Sequence, residues 1–327
     1  DVNGVGPEVI AKAFAHGSIH VDAAPLVIGC VRAYEAARAV VPGAPAAVEV
    51  TELESLPLPP SRLAFLASAA SAPQRRPGVL DADAGRAAME WLAQAVDMAI
   101  AGDVAGLVTC PIHKEGIHRA GYTCHGHTDF IAERTGSPAY RMTLYVQGRL
   151  FVHLSDHVSL RAALDAVRAD RIVETVRIAD QALPELGSPD RPIAVAGLNP
   201  HAGEAVAFGT EERDEIAPAV AQCVSEGLSC SGPHSPDAVF RQALNGRFDA
   251  VIALYHDQGH IPMKLVAMDE GVNVTLGIPI VRTSVDHGTA YDIAGTGQVR
   301  EQSFIEAYGL AARMAAQTML KRACVRR

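Results

Sequence analysis

Short apolar runs alternate with helical stretches along most of the 327 residues, and this alternation constrains the fold more than any other feature. Ala24-Pro25-Leu26-Val27-Ile28-Gly29, Leu107-Val108-Thr109, Ile193-Ala194-Val195-Ala196 and Ala250-Val251-Ile252-Ala253-Leu254 read as buried strands. Helical segments lie between them. One opens at Pro7-Glu8-Val9-Ile10, where Pro7 suits a first turn. A long one covers roughly 82–101, with Ala88, Leu92, Ala95, Val96 and Ala99 on one face. Others fall near 158–184, after Thr210 and at roughly 303–321. Strands alternating with helices predict an α/β protein with a mostly parallel sheet. Gln147-Gly148-Arg149 between Tyr145-Val146 and Leu150-Phe151-Val152 is a hairpin signature, so part of the sheet is expected to be antiparallel.

Composition supports a sizeable core, since 49% of residues are hydrophobic; with only 5% aromatic, that core is built from small aliphatic side chains. The 28 Lys and Arg against 37 Asp and Glu leave a net charge of −9, which argues against a nucleic-acid binder. No run of about 18 apolar residues suggests a membrane span. Six cysteines without a CxxC pair suit reduced thiols in a cytoplasm. The chain starts at Asp1 without Met, so further residues are expected before it. Leu56-Pro57-Leu58-Pro59-Pro60 and Gly187-Ser188-Pro189-Asp190-Arg191-Pro192 are short connectors.

Polar clusters follow the apolar runs, where ligands bind in open α/β sheets. They are Thr109-Cys110-Pro111-Ile112-His113-Lys114, Ser155-Asp156-His157, Gly197-Leu198-Asn199-Pro200-His201-Ala202-Gly203-Glu204 and Tyr255-His256-Asp257-Gln258-Gly259-His260. The last three each place a His just past a strand, as a metal ligand or as a hydrogen-bonded loop residue. Gly126-His127-Thr128 reads as a contact to a substrate oxyanion or as a helix start capped by Thr128. Lys264, Asn273 and Arg282 suit a phosphate or carboxylate, or are ordinary ion-pair charges. Asp286-His287-Gly288-Thr289-Ala290 reads as a turn over a cofactor or an Asp-capped helix start. No GxGxxG dinucleotide fingerprint is present.

Taken in order, Gly4-Val5-Gly6-Pro7-Glu8, Pro111-Ile112-His113-Lys114, Gly126-His127-Thr128, Gly197 to Glu204, Tyr255 to Gly259 and Arg282 to Ala290 cover nearly the whole chain. They resemble the 4-hydroxythreonine-4-phosphate dehydrogenase family of pyridoxal phosphate biosynthesis. The resemblance implies a two-lobed fold like isocitrate and isopropylmalate dehydrogenases, with mostly parallel sheets, a central cleft and a homodimer. By that analogy residues 1–122 and 290–327 form the first lobe and 123–289 the second. It implies a divalent-metal site of His157, His201 and His256 shared between subunits, and substrate contacts from His127, Thr128, Lys264, Asn273 and Arg282. His153 competes with His157, which is preferred because Val158-Ser159-Leu160 and Arg161 follow it.

Val2, Asn3 and Cys110 depart from the family pattern. The run Tyr255 to Gly259, continued by His260-Ile261-Pro262-Met263-Lys264-Leu265, is more similar to a branch acting on threonate or erythronate 4-phosphate. A third branch oxidises a terephthalate cis-dihydrodiol.

The implied chemistry is oxidation of a secondary alcohol in a small phosphorylated hydroxy acid. It would use NAD or NADP and one divalent metal (Zn, Mg, Co or Mn), with decarboxylation of the keto-acid product. Lys114 and Asp257 are candidates for the general base. A metal-dependent phosphate-ester hydrolase and a non-catalytic phosphate- or metal-responsive binding protein are the competing classes. No nucleic acid or membrane partner is expected, and the cytoplasm is the expected compartment.

Overall fold

The computed structural model describes residues 1–15, 19, 23–68, 73–186, 191–267 and 270–325. The segment with the clearest helical periodicity forms a helix over Ala82–Ala101, as expected: Asp81 caps its first turn by accepting from the Asp83 amide, and Gly102, at φ 85°, closes it.

By its internal contacts the chain divides into two compact units, residues 1–138 with 279–327 and residues 139–278. The first contains α1 (Gly6–Ala15), β1 (Leu26–Val27), α2 (Val31–Arg38), β2 (Ala46–Val50), β3 (Arg62–Leu66), α3 (Ala82–Ala101), β4 (Leu107–Thr109), α4 (Lys114–Arg119) and α5 (His127–Arg134). The second contains β5 (Arg141–Val146), β6 (Arg149–His153), α6 (Leu160–Asp165), α7 (Ala169–Leu186), β7 (Ile193–Ala196), α8 (Ala217–Ser225), β8 (Cys230–His234), α9 (Pro236–Leu244), β9 (Ala250–Ala253), α10 (His256–Ala267) and β10 (Val272–Leu276). The chain then returns to the first unit with β11 (Arg282–Val285) and α11 (Gln302–Val325). The resemblance places lobe limits at 122/123 and 289/290; the contact-defined units change at 138/139 and 278/279, which puts His127, Thr128 and Arg282 in the first.

In the first unit β1, β3 and β2 pair in parallel, as do β11 and β4. Val5, Val9, Phe14, Tyr34, Leu63, Phe65 and Phe304 share one core. The fully buried carboxylate of Glu8 accepts from Arg75 Nη2 at 2.8 Å and from the Gly295 and Gly297 amides at 2.5 and 2.8 Å. A carboxylate can be buried only with such partners. Glu8 therefore ties α1 to the 295–297 turn.

In the second unit the strands run β10-β5-β6-β9-β7-β8. β10 with β5 and β5 with β6 are antiparallel, while β6 with β9, β9 with β7 and β7 with β8 are parallel. The expected hairpin joins β5 to β6. Gln147 and Gly148 both have positive φ, 47° and 80°, the conformation that matches strand twist in a two-residue turn. Every residue of β7 and β9 is buried, as in parallel strands covered on both faces.

The α/β expectation holds. The helix after Thr210 begins as one π turn, Glu212–Ile216, before α8. Gly187–Asp190 lie outside the described residues. Cys30, Cys110, Cys124, Cys223 and Cys230 are free thiols. No described helix is long and apolar enough to cross a membrane.

Candidate functional site

The carboxyl ends of β6, β9 and β7, three successive parallel strands of the second unit, lead to His157, His256 and His201. His256 opens α10. Its Nδ1 lies 2.7 Å from Asp257 Oδ1, so Nδ1–H donates to the carboxylate and Nε2 is left outside that bond. His157 is exposed, with its ring centred 5.5 Å from that of His256.

His201 sits in a loop where His201, Ala202, Glu204, Ala205 and Val206 have φ of 53°, 54°, 39°, 53° and 69°. Left-handed non-glycine residues persist where their surroundings over-determine them. Glu212 supplies part of that constraint. Its Oε1 accepts from the Leu198 and Asn199 amides at 2.8 and 2.7 Å, and its Oε2 from Asn199 Nδ2 at 2.9 Å. Among the described residues no three His, Cys, Asp or Glu side chains are gathered to hold one ion. His157 and His256 are neighbours; His201 is not gathered with them.

A second imidazole pair lies behind His256. His153, buried at the end of β6, has Nδ1 3.2 Å from the Met142 carbonyl oxygen and Nε2 3.0 Å from His260 Nδ1. Burial pulls the His153 imidazole down to about 4. Burial, reinforced by His153, His256 and Lys264, pulls His260 to about 2. Both of His153's ring nitrogens are engaged by the protein. Lys264 lies one turn beyond His260 on α10, and Asn273 sits on β10 opposite Leu144.

In the first unit Arg282 is not a surface charge. It is 3% exposed and its Nη2 donates to Thr109 Oγ1 at 2.9 Å. Desolvation draws the guanidinium down to about 10, so it stays charged at neutral pH. Desolvation and then the Arg282 charge hold the His127 imidazole well below its usual range. His127 and Thr128 are the first two residues of α5, and Gly126 is the cap. The alternative in which Thr128 caps the helix is thereby replaced. Asp129 accepts from the His125 amide at 3.1 Å, just ahead of this helix start. The amino end of α5 favours an anion.

Lys114 is exposed at the start of α4, whose cap is His113. The 286–290 stretch starts no helix. The Asp286 amide donates to Ser303 Oγ and the Thr289 carbonyl accepts from the Val5 amide, so this turn packs onto the start of α1.

The family model for the pyridoxal phosphate biosynthetic protein PdxA matches residues 22–311. The chain belongs to the PdxA family. It is 39% identical over 322 residues to D-threonate 4-phosphate dehydrogenase of Pectobacterium atrosepticum, covering 96% of this chain and 97% of that protein. It is 41% identical over 318 residues to 4-hydroxythreonine-4-phosphate dehydrogenase of Desulfosudis oleivorans, covering 97% and 94%. The crystal structure of 4-hydroxythreonine-4-phosphate dehydrogenase from Klebsiella pneumoniae superimposes with a TM-score of 0.87 at 39% identity, covering 96% of this chain and 97% of that one.

Within this PdxA-family chain, sequence reasoning missed Thr109 as the partner of Arg282 and Glu212 as the anchor of the His201 loop. It also missed the pairing of His153 with His260. Glu212 had a signal, as an acidic residue in the segment that follows a polar loop. The other two depend on strand register, which no local pattern carries.

Proposed function

We propose that this PdxA-family protein is a dehydrogenase that oxidises the secondary alcohol of a small phosphorylated hydroxy acid, of the D-threonate 4-phosphate or 4-hydroxythreonine 4-phosphate type. The observation that carries this reading is Arg282. It is a buried guanidinium, charged at neutral pH, oriented by Thr109 and electrostatically coupled to His127 at the amino end of α5. Such an arrangement suits a phosphate, which offers three acceptor oxygens.

His127, Thr128 and Arg282 bind the anionic group, and Lys264 and Asn273 provide the remaining substrate contacts. His157, His201 and His256 would hold a divalent metal such as Zn, Mg, Co or Mn; imidazole nitrogens after three strand ends are a fitting donor set. When bound, the metal supplies Lewis-acid polarisation of the substrate oxygen and the nicotinamide of NAD or NADP supplies the hydride acceptor. Lys114 and Asp257 are the candidate proton acceptors, and Asp257 also accepts from His256 Nδ1. A hydroxythreonine-type product, a β-keto acid, then loses carbon dioxide.

A second copy of the chain completes the metal site. Two features support this: His201 is not gathered with His157 and His256, and α6 and α10 expose Leu160 (59%), Ile261 (57%) and Leu265 (84%). Free thiols in the chain suit a reducing cytoplasm.

The test is nicotinamide reduction by the purified protein, with NAD and with NADP, in the presence and absence of divalent metal. Substrates are hydroxythreonine phosphate, threonate and erythronate phosphates, and an aromatic cis-dihydrodiol. Metal-dependent reduction with a phosphorylated acid is expected. Release of inorganic phosphate without reduction would make the protein a hydrolase.

A further inference from the structure

The proposed metal set leaves His153 and His260 unused, although they lie against it. Their hydrogen-bond pattern admits one assignment. The Met142 carbonyl oxygen accepts and never donates, so His153 Nδ1, 3.2 Å away, carries a hydrogen. A second hydrogen on Nε2 would make His153, 1% exposed, a buried cation. Its Nε2 is therefore bare and accepts from His260 Nδ1 at 3.0 Å. That hydrogen in turn fixes the tautomer of His260, also neutral. The relay thus runs from His260 to His153 to the main chain of β5.

Gly259 makes this relay possible. A Cβ there would lie 2.5 Å from His153 Nε2, so a side chain at 259 and the His153 ring exclude each other. At the other end of the relay, the His260 ring stacks on His256, with centroids 3.8 Å apart and planes within 10°. Asp257 fixes which nitrogen of His256 is protonated. The stack fixes a different variable, the plane of the ring.

We propose that His153 and His260 are positioning residues, a tautomer-locked pair that sets the ring plane of His256. This rests on the reading of His256 as a metal ligand. A pair of apolar side chains would fill the same volume and define no plane.

Two measurements test the pair. In protein labelled with 15N-histidine and stripped of metal, two-bond 15N–1H correlation spectra should place His153 and His260 in the Nδ1–H form, assigned with single His→Leu variants. An Nε2–H form at either position overturns the relay. Cobalt titrations then compare wild type with His153→Leu/His260→Leu, which keeps the interior apolar. A ten- to hundredfold loss of cobalt affinity, with a thermal midpoint close to wild type, is expected for a lost orienting partner. Unchanged affinity overturns the positioning role. If that variant does not fold, His260→Gln, which keeps a donor to His153 but no ring, should show the same loss. His256→Ala separates the two readings: if it leaves cobalt binding intact, the ligand assignment falls, while the spectra still judge the pair.

Discussion

Arg282 on β11 donates from Nη2 to Thr109 Oγ1 at 2.9 Å, across the parallel pairing of β11 with β4. A hydrogen bond to a charged group is worth about 1.5–3 kcal/mol. Thr109→Val keeps the shape and removes the acceptor, so kcat/KM for a phosphorylated substrate should fall about tenfold, since about 1.4 kcal/mol is one decade. Wild type should prefer a phosphorylated acid over its dephosphorylated form by more than roughly tenfold. Arg282→Ala should erase most of that preference. Steady-state kinetics on both forms is the measurement; equal efficiencies in wild type would defeat the phosphate assignment.

Glu212 is buried and holds the Leu198 and Asn199 amides. Glu212→Ala leaves both donors without that carboxylate, at about 1–3 kcal/mol each. The Tm should drop by about 5 °C or more. Cobalt affinity should drop with it, because His201 loses its anchored loop. Glu212→Gln, which retains an acceptor oxygen, should lie between. Calorimetry on the three proteins decides this, and a Glu212→Ala midpoint equal to wild type would refute the anchoring role.

His153 is neutral when folded, with its imidazole pulled by burial from the ordinary 6.5 to about 4. Between those pH values the unfolded chain binds more protons than the folded one, so stability rises with pH. The contribution is complete above about pH 6.5 and is lost progressively as the pH falls to about 4, amounting to about 3 kcal/mol. Urea unfolding of metal-free protein from pH 4 to 8 should therefore show a shallower acid slope in His153→Leu/His260→Leu. Parallel slopes would show that the pair does not govern acid sensitivity.

Leu265 is 84% exposed on α10, the helix that His256 opens. If a second copy covers that face, Leu265→Glu should weaken self-association at least tenfold. Sedimentation across a concentration series reads this directly. An active wild-type monomer would rule out a site completed by two chains.

Legibility in the sequence followed burial. β7 and β9 are buried throughout and appear as unbroken apolar runs. β8, Cys230-Ser231-Gly232-Pro233-His234, ends the strand order of its unit and buries Cys230 alone, so no apolar run announces it. The strand-end histidines were legible one by one, because each follows such a run. Their partners were not. His153 meets His260 across 107 residues and Arg282 meets Thr109 across 173, distances closed by β6–β9 and β4–β11 register. Helix starts were legible to within a residue or two, and that margin placed Thr128 in the cap where Gly126 stands.

The space that Gly259 leaves for the His153 ring also orders mutational history. Alanine at 259 would ordinarily strengthen a helix. Here it is admissible only after position 153 has shrunk, and a shrunken 153 deprives His260 of its acceptor. Any lineage leaving this arrangement must therefore change 153 first and 259 afterwards. A library that varies 259 alone should therefore recover glycine, whereas one that varies 153 and 259 together admits other residues at 259.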